Sequence, residues 1–315
     1  MEGESVGVKP DQIDLSCRIG AVSFPSPLLA ASGTWAYGLE FIDHPIQKWM
    51  GGFVTKSLSL NPSEGNPMPR LYEGDGVLLN SIGLQNIGIS AFLADVDPQL
   101  RSRSATYVLS VYANRIEDFE ALADQANSSS AAAVELNISC PNIEKGGLEF
   151  SSDPQTTSVV VSRVKRRLRK PLWVKLSPNV TSIVDIAQAA EGAGADALSM
   201  INTLVGMAID VDSQSPWLGK LRGGVSGPGI RPIAVERIFR TYEKVKVPIV
   251  GMGGARSARD VLELMMAGAA CVQIGTWNFR DPFCYEEIDQ ELRAYLGRLR
   301  FSKVSDVVGR AHRAA

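Results

Sequence analysis

Short apolar runs alternate along the chain with longer stretches in which apolar residues recur every three or four positions. The runs are Leu28–Ser32, Phe53–Lys56, Tyr107–Val111, Val134–Ile138, Leu172–Leu176, Ala197–Ile201, Pro248–Gly251 and Cys271–Gly275, eight in all. Each is too short for a helix and predicts a strand. The stretches between most of them predict helices. Ser182 precedes Asp185 by the spacing of a capping box at the start of IVDIAQAAEGAG, and Gly192 or Gly194 can close that helix in the left-handed conformation. Ser257 and Asp260 repeat the spacing before VLELMMAG. Ahead of the first run, 15–19 and 21–24 flank Gly20 and predict a small hairpin. Two long stretches, 57–105 and 203–231, carry Gly and Pro and read as loops built over one face.

Alternating strand and helix signals imply a parallel sheet. Eight of them favour a closed (β/α)8 TIM barrel, plugged at the bottom by the hairpin, over an open doubly wound sheet. No linker or low-complexity tract interrupts the pattern, so residues 1–315 are expected to form a single domain. In such a barrel the C-terminal strand ends and the loops after them carry function. Polar residues and glycines gather there: ASGT from Ala31, TKS from Thr55, NISCPN from Asn137, KLSPN from Lys175, INT from Ile201, GMGG from Gly251, and Gly275-Thr276.

Composition narrows the classes. The 315 residues carry a net charge of -2, which suggests no surface for nucleic acid or anionic membrane. No stretch approaches the ~18 uninterrupted apolar residues of a membrane span. The start, MEGESVGVKPDQID, is too polar and acidic for a signal or basic transit peptide, so a cytoplasmic protein is expected. Cysteines at 17, 140, 271 and 284 form no CxxC pair, and no metal or iron-sulfur site is expected. Neither histidine, His44 or His312, has a Gly-rich or strand-end context, which points away from histidine as the acid-base group. The one basic run, Arg163 to Lys170, reads as the solvated end of a helix.

Glycines at Gly253, Gly254 and Gly275 follow the seventh and eighth strands, where barrels commonly hold a phosphate on backbone N–H groups. Lys56 and Lys175 stand at strand ends, where two ammonium groups suit a site that develops negative charge, such as a flavin being reduced. Asn80, Asn137, Asn142 and Asn202 can both donate and accept, as the alternating edge of a pyrimidine requires. Cys140 follows a strand end and precedes Pro141 and a Gly146-Gly147 loop. An exposed thiol there can serve as a base, whereas Cys17, Cys271 and Cys284 read as buried small hydrophobes.

VTKS, NPMPRLYEGDGVLLNSIGLQNIG, LNISCPN, VKLSPN, INTLVGMAID, GGVSGPGIRP, VGMGG and QIGT together resemble the class 1 dihydroorotate dehydrogenases, from about Ala31 to Pro282. Cysteine before Pro-Asn resembles class 1 rather than the membrane-associated class 2. NTLVGMAID and GGVSGPGIRP resemble the NAD-linked 1B catalytic subunits. The resemblance implies FMN-dependent oxidation of dihydroorotate to orotate in pyrimidine biosynthesis, with Cys140 as the base. It places FMN against Ser32, Lys56, Ser57, Asn137, Lys175, Ile201, Gly227, Gly253, Gly254, Gly275 and Thr276. It places orotate against Lys56, Asn80, Ser81, Ile82, Gly83, Leu84, Asn137, Asn142, Asn202 and Thr203. It further implies a homodimer inside a heterotetramer, with a partner subunit carrying FAD and an iron-sulfur cluster. Four features depart from the pattern: Ser110 where asparagine is usual, Trp277 for a small residue, Trp35-Ala36 for Phe-Gly, and Ser151 for glycine. Competing readings are a fumarate-using 1A homodimer, another FMN-barrel pyrimidine reductase, a tRNA dihydrouridine synthase, and a flavin-free phosphate-binding barrel. The absence of cluster-type cysteines counts against a reductase of the dihydropyrimidine dehydrogenase type, and the acidic pI of about 5.8 disfavours an RNA-binding enzyme.

Overall fold

A computed structural model of the chain describes residues 8–139 and 150–313. The expected strands form β1 (Leu28–Ala30), β2 (Gly52–Val54), β3 (Tyr107–Val111), β4 (Ala133–Asn137), β5 (Leu172–Lys175), β6 (Ala197–Met200), β7 (Ile249–Met252) and β8 (Ala269–Ile274). They pair in parallel, in chain order, and β8 closes on β1 to complete the barrel. Around them lie a helical segment at 89–102 (α1), which passes through a π turn at Phe92–Val96, then α2 (Ile116–Ala126), α3 (Pro154–Arg167), α4 (Ile183–Gly192), α5 (Arg231–Tyr242), α6 (Ala258–Ala267) and α7 (Tyr285–Arg298). No helix among the described residues is long and apolar enough to cross a membrane.

The helix boundaries follow the capping signals. Ser182 and Ser257 accept from the backbone N–H of Asp185 and Asp260 at the starts of α4 and α6. Of the two candidate closing glycines, Gly194 (φ +102°) has the positive φ, while Gly192 stays within the helix. The basic run is not simply solvated. Arg163 and Arg167 pair with Glu120 and Asp124 on α2, Lys165 pairs with Asp196, and Lys170 donates to the Ala131 carbonyl. These ties lace α3 to α2 and to the strand starts.

The hairpin pairs Cys17–Ile19 with Val22–Phe24 around Gly20, whose positive φ suits the tight turn. Its inward face joins Leu29, Val54, Val108, Ala133, Trp173, Ala197, Val250 and Cys271 in one apolar cluster that fills the barrel bottom. Phe24 meets Trp173 edge to face at 5.9 Å. Cys17, Cys271 and Cys284 are buried, as expected of small hydrophobes.

The two long excursions are more than loops. Val77–Asn80 of the first pairs with Gly223–Ser226 of the second, and Leu71–Gly74 and Leu204–Gly206 flank them in a four-stranded antiparallel sheet. The excursions therefore brace one another over the barrel mouth.

Candidate functional site

Strand direction settles what reaches the mouth. All eight strands run parallel, so the residues just past each C-terminus share one end of the barrel. There they line a cavity of about 430 Å³. Ser32, Lys56, Ser57, Asn137, Lys175, Ile201, Asn202 and Thr203 line it from β1, β2, β4, β5 and β6. Gly253, Gly254, Gly275 and Thr276 line it from the last two, and Asn80, Ile82, Gly83, Leu84 and Gly227 enter from the excursions. Ser81 is the exception among the described expectations. It does not line the cavity, and its hydroxyl accepts from Asn66 Nδ2 at 2.8 Å within the excursion. Cys140 and Asn142 lie outside the described residues.

Gly227, Gly253 and Gly254 have φ of +99°, +130° and +80°, conformations that favour glycine. Space argues the same way. A Cβ on Gly254 would lie 2.8 Å from Arg231 Cβ and 2.9 Å from the Gly227 carbonyl, and one on Gly253 would lie 2.6 Å from Ala234 Cβ. The backbone is thereby left bare at one end of the cavity. Thr276 adds a hydroxyl there, donating to Ser226 Oγ at 2.7 Å. Arg231, although close by, is committed to ion pairs with Asp260 and Glu263. That end suits a phosphate held by N–H and O–H groups rather than by a guanidinium.

The other end is a hydrogen-bonded floor. Ser57 Oγ lies 2.8 Å from Ser110 Oγ and 3.4 Å from Ser32 Oγ, and accepts from Asn137 Nδ2 at 3.2 Å. Asn137 Oδ1 accepts from the Ser139 hydroxyl at 2.9 Å, and that hydroxyl accepts from Asn202 Nδ2 at 2.6 Å. Asn80 Nδ2 donates to the Gly224 carbonyl at 3.2 Å. Three of the four expected asparagines are thus held at the mouth in fixed orientations, and Ser139, the residue before Cys140, is tied between two of them. Lys175 is 6% exposed. Burial, and then the nearby Arg70 charge, hold the Lys56 amine below the usual lysine value. Arg70 itself is anchored by the carbonyls of Asn66 and Glu64 and by Gln85 Oε1.

The departures have distinct consequences. Ser110 turns its hydroxyl into the floor network and is not a cavity-lining residue. Trp277 stands on the cavity wall beneath the Arg256 guanidinium, 5.9 Å from the ring centre. Trp35 is buried, stacked on Phe41 and edge-on to Tyr285. Ser151 is fully buried with no partner for its hydroxyl among the described residues, for which we have no physical account. Both histidines lie apart from the cavity: His44 caps the turn at Ile46, and His312 stacks on Phe239.

Sequence reasoning missed Gln273, Ser226, Gly224, Met252 and the apolar rim of Leu71, Leu78 and Phe279. Gln273 did leave a signal: a polar residue inside the apolar run CVQI, two positions before Gly275 and so on the same inward face. The rim left none, because Leu71 and Leu78 reach it through the sheet that the excursions build, and Phe279 from the turn after β8.

Known proteins resemble this chain over most of its length. The family model for dihydroorotate dehydrogenase matches residues 14–296. A protein of Geotalea uraniireducens is 44% identical over 297 residues, covering 94% of this chain and 97% of its own. A protein of Pelobacter propionicus is likewise 44% identical, covering 94% of this chain and 98% of its own, and one of Geobacter sulfurreducens is 44% identical with 94% and 97% covered. All three are named dihydroorotate dehydrogenase B (NAD(+)), catalytic subunit.

Proposed function

The chain belongs to the dihydroorotate dehydrogenase family and is an oxidoreductase that converts dihydroorotate to orotate in pyrimidine biosynthesis, and we propose that its barrel-mouth cavity is the site of that reaction, with FMN as its flavin. The observation that carries the reading is convergence: side chains or backbone from seven of the strand ends, β1, β2 and β4 to β8, meet around one cavity with bare glycine backbone at one end and buried Lys175 at the other.

The residues present fit the cofactor. Gly227, Gly253, Gly254, Gly275 and Thr276 would hold the phosphate, and Ser32, Lys56, Ser57, Asn137, Lys175 and Ile201 the remainder. Bound FMN supplies a two-electron acceptor for hydride from C6 of dihydroorotate. Lys175, on the rigid end of β5, places a cation where the site gains negative charge. Lys56, Asn80, Asn137, Asn202 and Thr203, with Ile82, Gly83, Leu84 and Asn142, would hold the substrate. Their amides satisfy its alternating donors and acceptors. Cys140, covalently adjacent to the tethered Ser139, is assigned the C5 proton as general base. Electrons would then leave through a partner subunit bearing an iron-sulfur cluster and FAD to NAD, in a heterotetramer built around a catalytic homodimer. The relatives' name, an NAD(+)-linked catalytic subunit, supports NAD as the acceptor and a second subunit beside this one.

The test is anaerobic reduction of the bound flavin by dihydroorotate, followed by reoxidation with NAD or fumarate, with and without the partner. Reduction by dihydroorotate, then slow transfer to NAD that the partner accelerates, is the expected result. Fast reoxidation by fumarate alone would overturn the NAD-linked route and leave the dihydroorotate chemistry standing. A chain that takes up no flavin would overturn the site.

A further inference from the structure

Between the apolar plug and the cavity the barrel interior carries polar side chains. Ser110 on β3, Glu135 on β4, Ser199 on β6 and Gln273 on β8 are all 1% exposed or less. Glu135 is their hub. It accepts from Ser199 Oγ at 2.8 Å, from Gln273 Nε2 at 3.2 Å and from Ser110 Oγ at 3.5 Å. Ser110 in turn meets Ser57 Oγ at 2.8 Å, which continues the network to the cavity floor.

The consequence falls on Gln273. Its Nε2 is committed to Glu135, while its Oε1 is buried and has no hydrogen-bond partner among the described residues. Gln273 nevertheless lines the cavity. A buried carbonyl oxygen left without a donor is disfavoured, and a native structure that keeps one usually fills the need with a ligand or water. Turning the amide over would not help. Its oxygen would then face Glu135 Oε2 at the same 3.2 Å, two acceptors with no hydrogen between them. Glu135 therefore fixes which end of the Gln273 amide remains for the cavity.

We infer that Gln273 Oε1 is a hydrogen-bond acceptor for the flavin, with Glu135 as the positioning residue that holds the amide in that orientation. The inference rests on the assignment of this cavity to FMN. The matching ligand chemistry is an N–H or O–H donor, which oxidised FMN offers at its ring imide and along its ribityl hydroxyls. Glu135 touches neither cofactor nor substrate in this scheme and acts only through Gln273 and Ser110.

The experiment is titration of the apo-protein with FMN, followed by flavin fluorescence, for the wild type, Gln273→Met and Glu135→Gln, with the Tm of each apo-protein measured in parallel. Gln273→Met keeps the side-chain length and removes the carbonyl. It should raise the FMN Kd about tenfold, the equivalent of one hydrogen bond, while apo Tm holds or rises because an orphaned polar group is gone. Glu135→Gln, which lets the amide settle either way, should raise Kd about threefold. Repeating the Gln273→Met comparison with N3-methyl FMN and with a ribityl-deoxygenated FMN identifies the donor, since the analogue lacking it loses the difference between wild type and variant. An unchanged Kd for Gln273→Met, with the wild type binding FMN, overturns this inference alone. A wild type that binds no FMN overturns the flavin assignment with it. If the variants do not fold, a crystal structure of the FMN-loaded wild type decides. Oε1 within about 2.7–3.2 Å of a flavin donor supports the inference, and Oε1 bonded only to water or Lys175 overturns it.

Discussion

At the bottom of the barrel Trp173 packs against Phe24 of the hairpin, while two residues further along the same strand Lys175 stands in the cavity wall. Both point inward and both are buried, Trp173 fully and Lys175 to all but 6%. The lower position lies among apolar side chains from every other barrel strand and from the plug. The upper one lies among hydroxyls, amides and glycine backbone. Because strand side chains alternate with period two, one strand can give consecutive inward positions to two different tasks. Stability and chemistry should then separate along the strand axis, and substitutions at the two ends should show it.

The largest effect is expected at the mouth. Cys140→Ala should leave FMN bound but slow flavin reduction by dihydroorotate on the order of 10²–10⁴-fold, the usual worth of a general base. Cys140→Ser should recover part of the rate only at high pH, since a hydroxyl is a far weaker acid than a thiol. Anaerobic stopped-flow reads both, and near-wild-type reduction by the alanine variant at neutral pH removes Cys140 as the base.

Next come the two β5 neighbours. Trp173→Ala should cost about 3–5 kcal/mol of stability through lost burial and a cavity in the plug. Lys175→Ala should move Tm by less than about 3 °C. It should instead lower the reduction midpoint of bound FMN and weaken FMN retention, because a cation beside the developing charge is gone. Denaturant unfolding and spectroelectrochemistry on the same pair of variants make the comparison. A Lys175→Ala variant with full occupancy and an unchanged midpoint breaks it.

Acid should act on the bottom rim as well. Burial alone would raise the Asp97 carboxyl, but hydrogen bonds from Ser130 and Tyr107, with Arg101 alongside, more than offset it, so the group sits below its ordinary value. A depressed folded pKa contributes stability that is fully present above the unfolded value of about 3.9 and lost as pH falls through the folded one. Asp97→Asn should cost on the order of 1–3 kcal/mol at neutral pH and flatten the fall in stability below about pH 4. Equal acid slopes for wild type and variant would discount Asp97.

How much of this was visible beforehand follows from the range of the interactions. The eight strands were legible because each is a continuous apolar run between turn residues, and the mouth because its polar residues sit at run ends. The sheet over the mouth was not. Its central pairing joins Asn80 to Gly224, and neither strand has the alternation that would announce it alone. Glu135 and Ser199 were passed over because each is a lone polar residue inside an apolar run, and Ser110 stood out only as a departure from the family pattern; barrel closure is what brings the three together. The ion pairs of the basic run likewise depend on which helix packs beside α3.

The smallest effect concerns strain at the mouth. Ala36, where the resemblance expects glycine, has φ +42°, the left-handed region that disfavours a Cβ. It is held there by its task, since its carbonyl accepts from the backbone N–H of Lys56 at 2.8 Å and so helps place that lysine. For an alanine the left-handed conformation costs roughly 1–2 kcal/mol. Glycine would relieve that cost but lose about 0.5–1 kcal/mol to its freer unfolded chain. Ala36→Gly should therefore stabilise by about 0.5–1 kcal/mol, raising Tm by about 1–2 °C, and leave FMN affinity within about twofold. A Tm that falls instead would mean that the turn tolerates Ala36 without strain. A rise in Tm accompanied by weaker FMN binding would mean that the alanine stiffens Lys56 for the cofactor. Stability and chemistry would then be coupled at this end of the barrel rather than divided between its two ends.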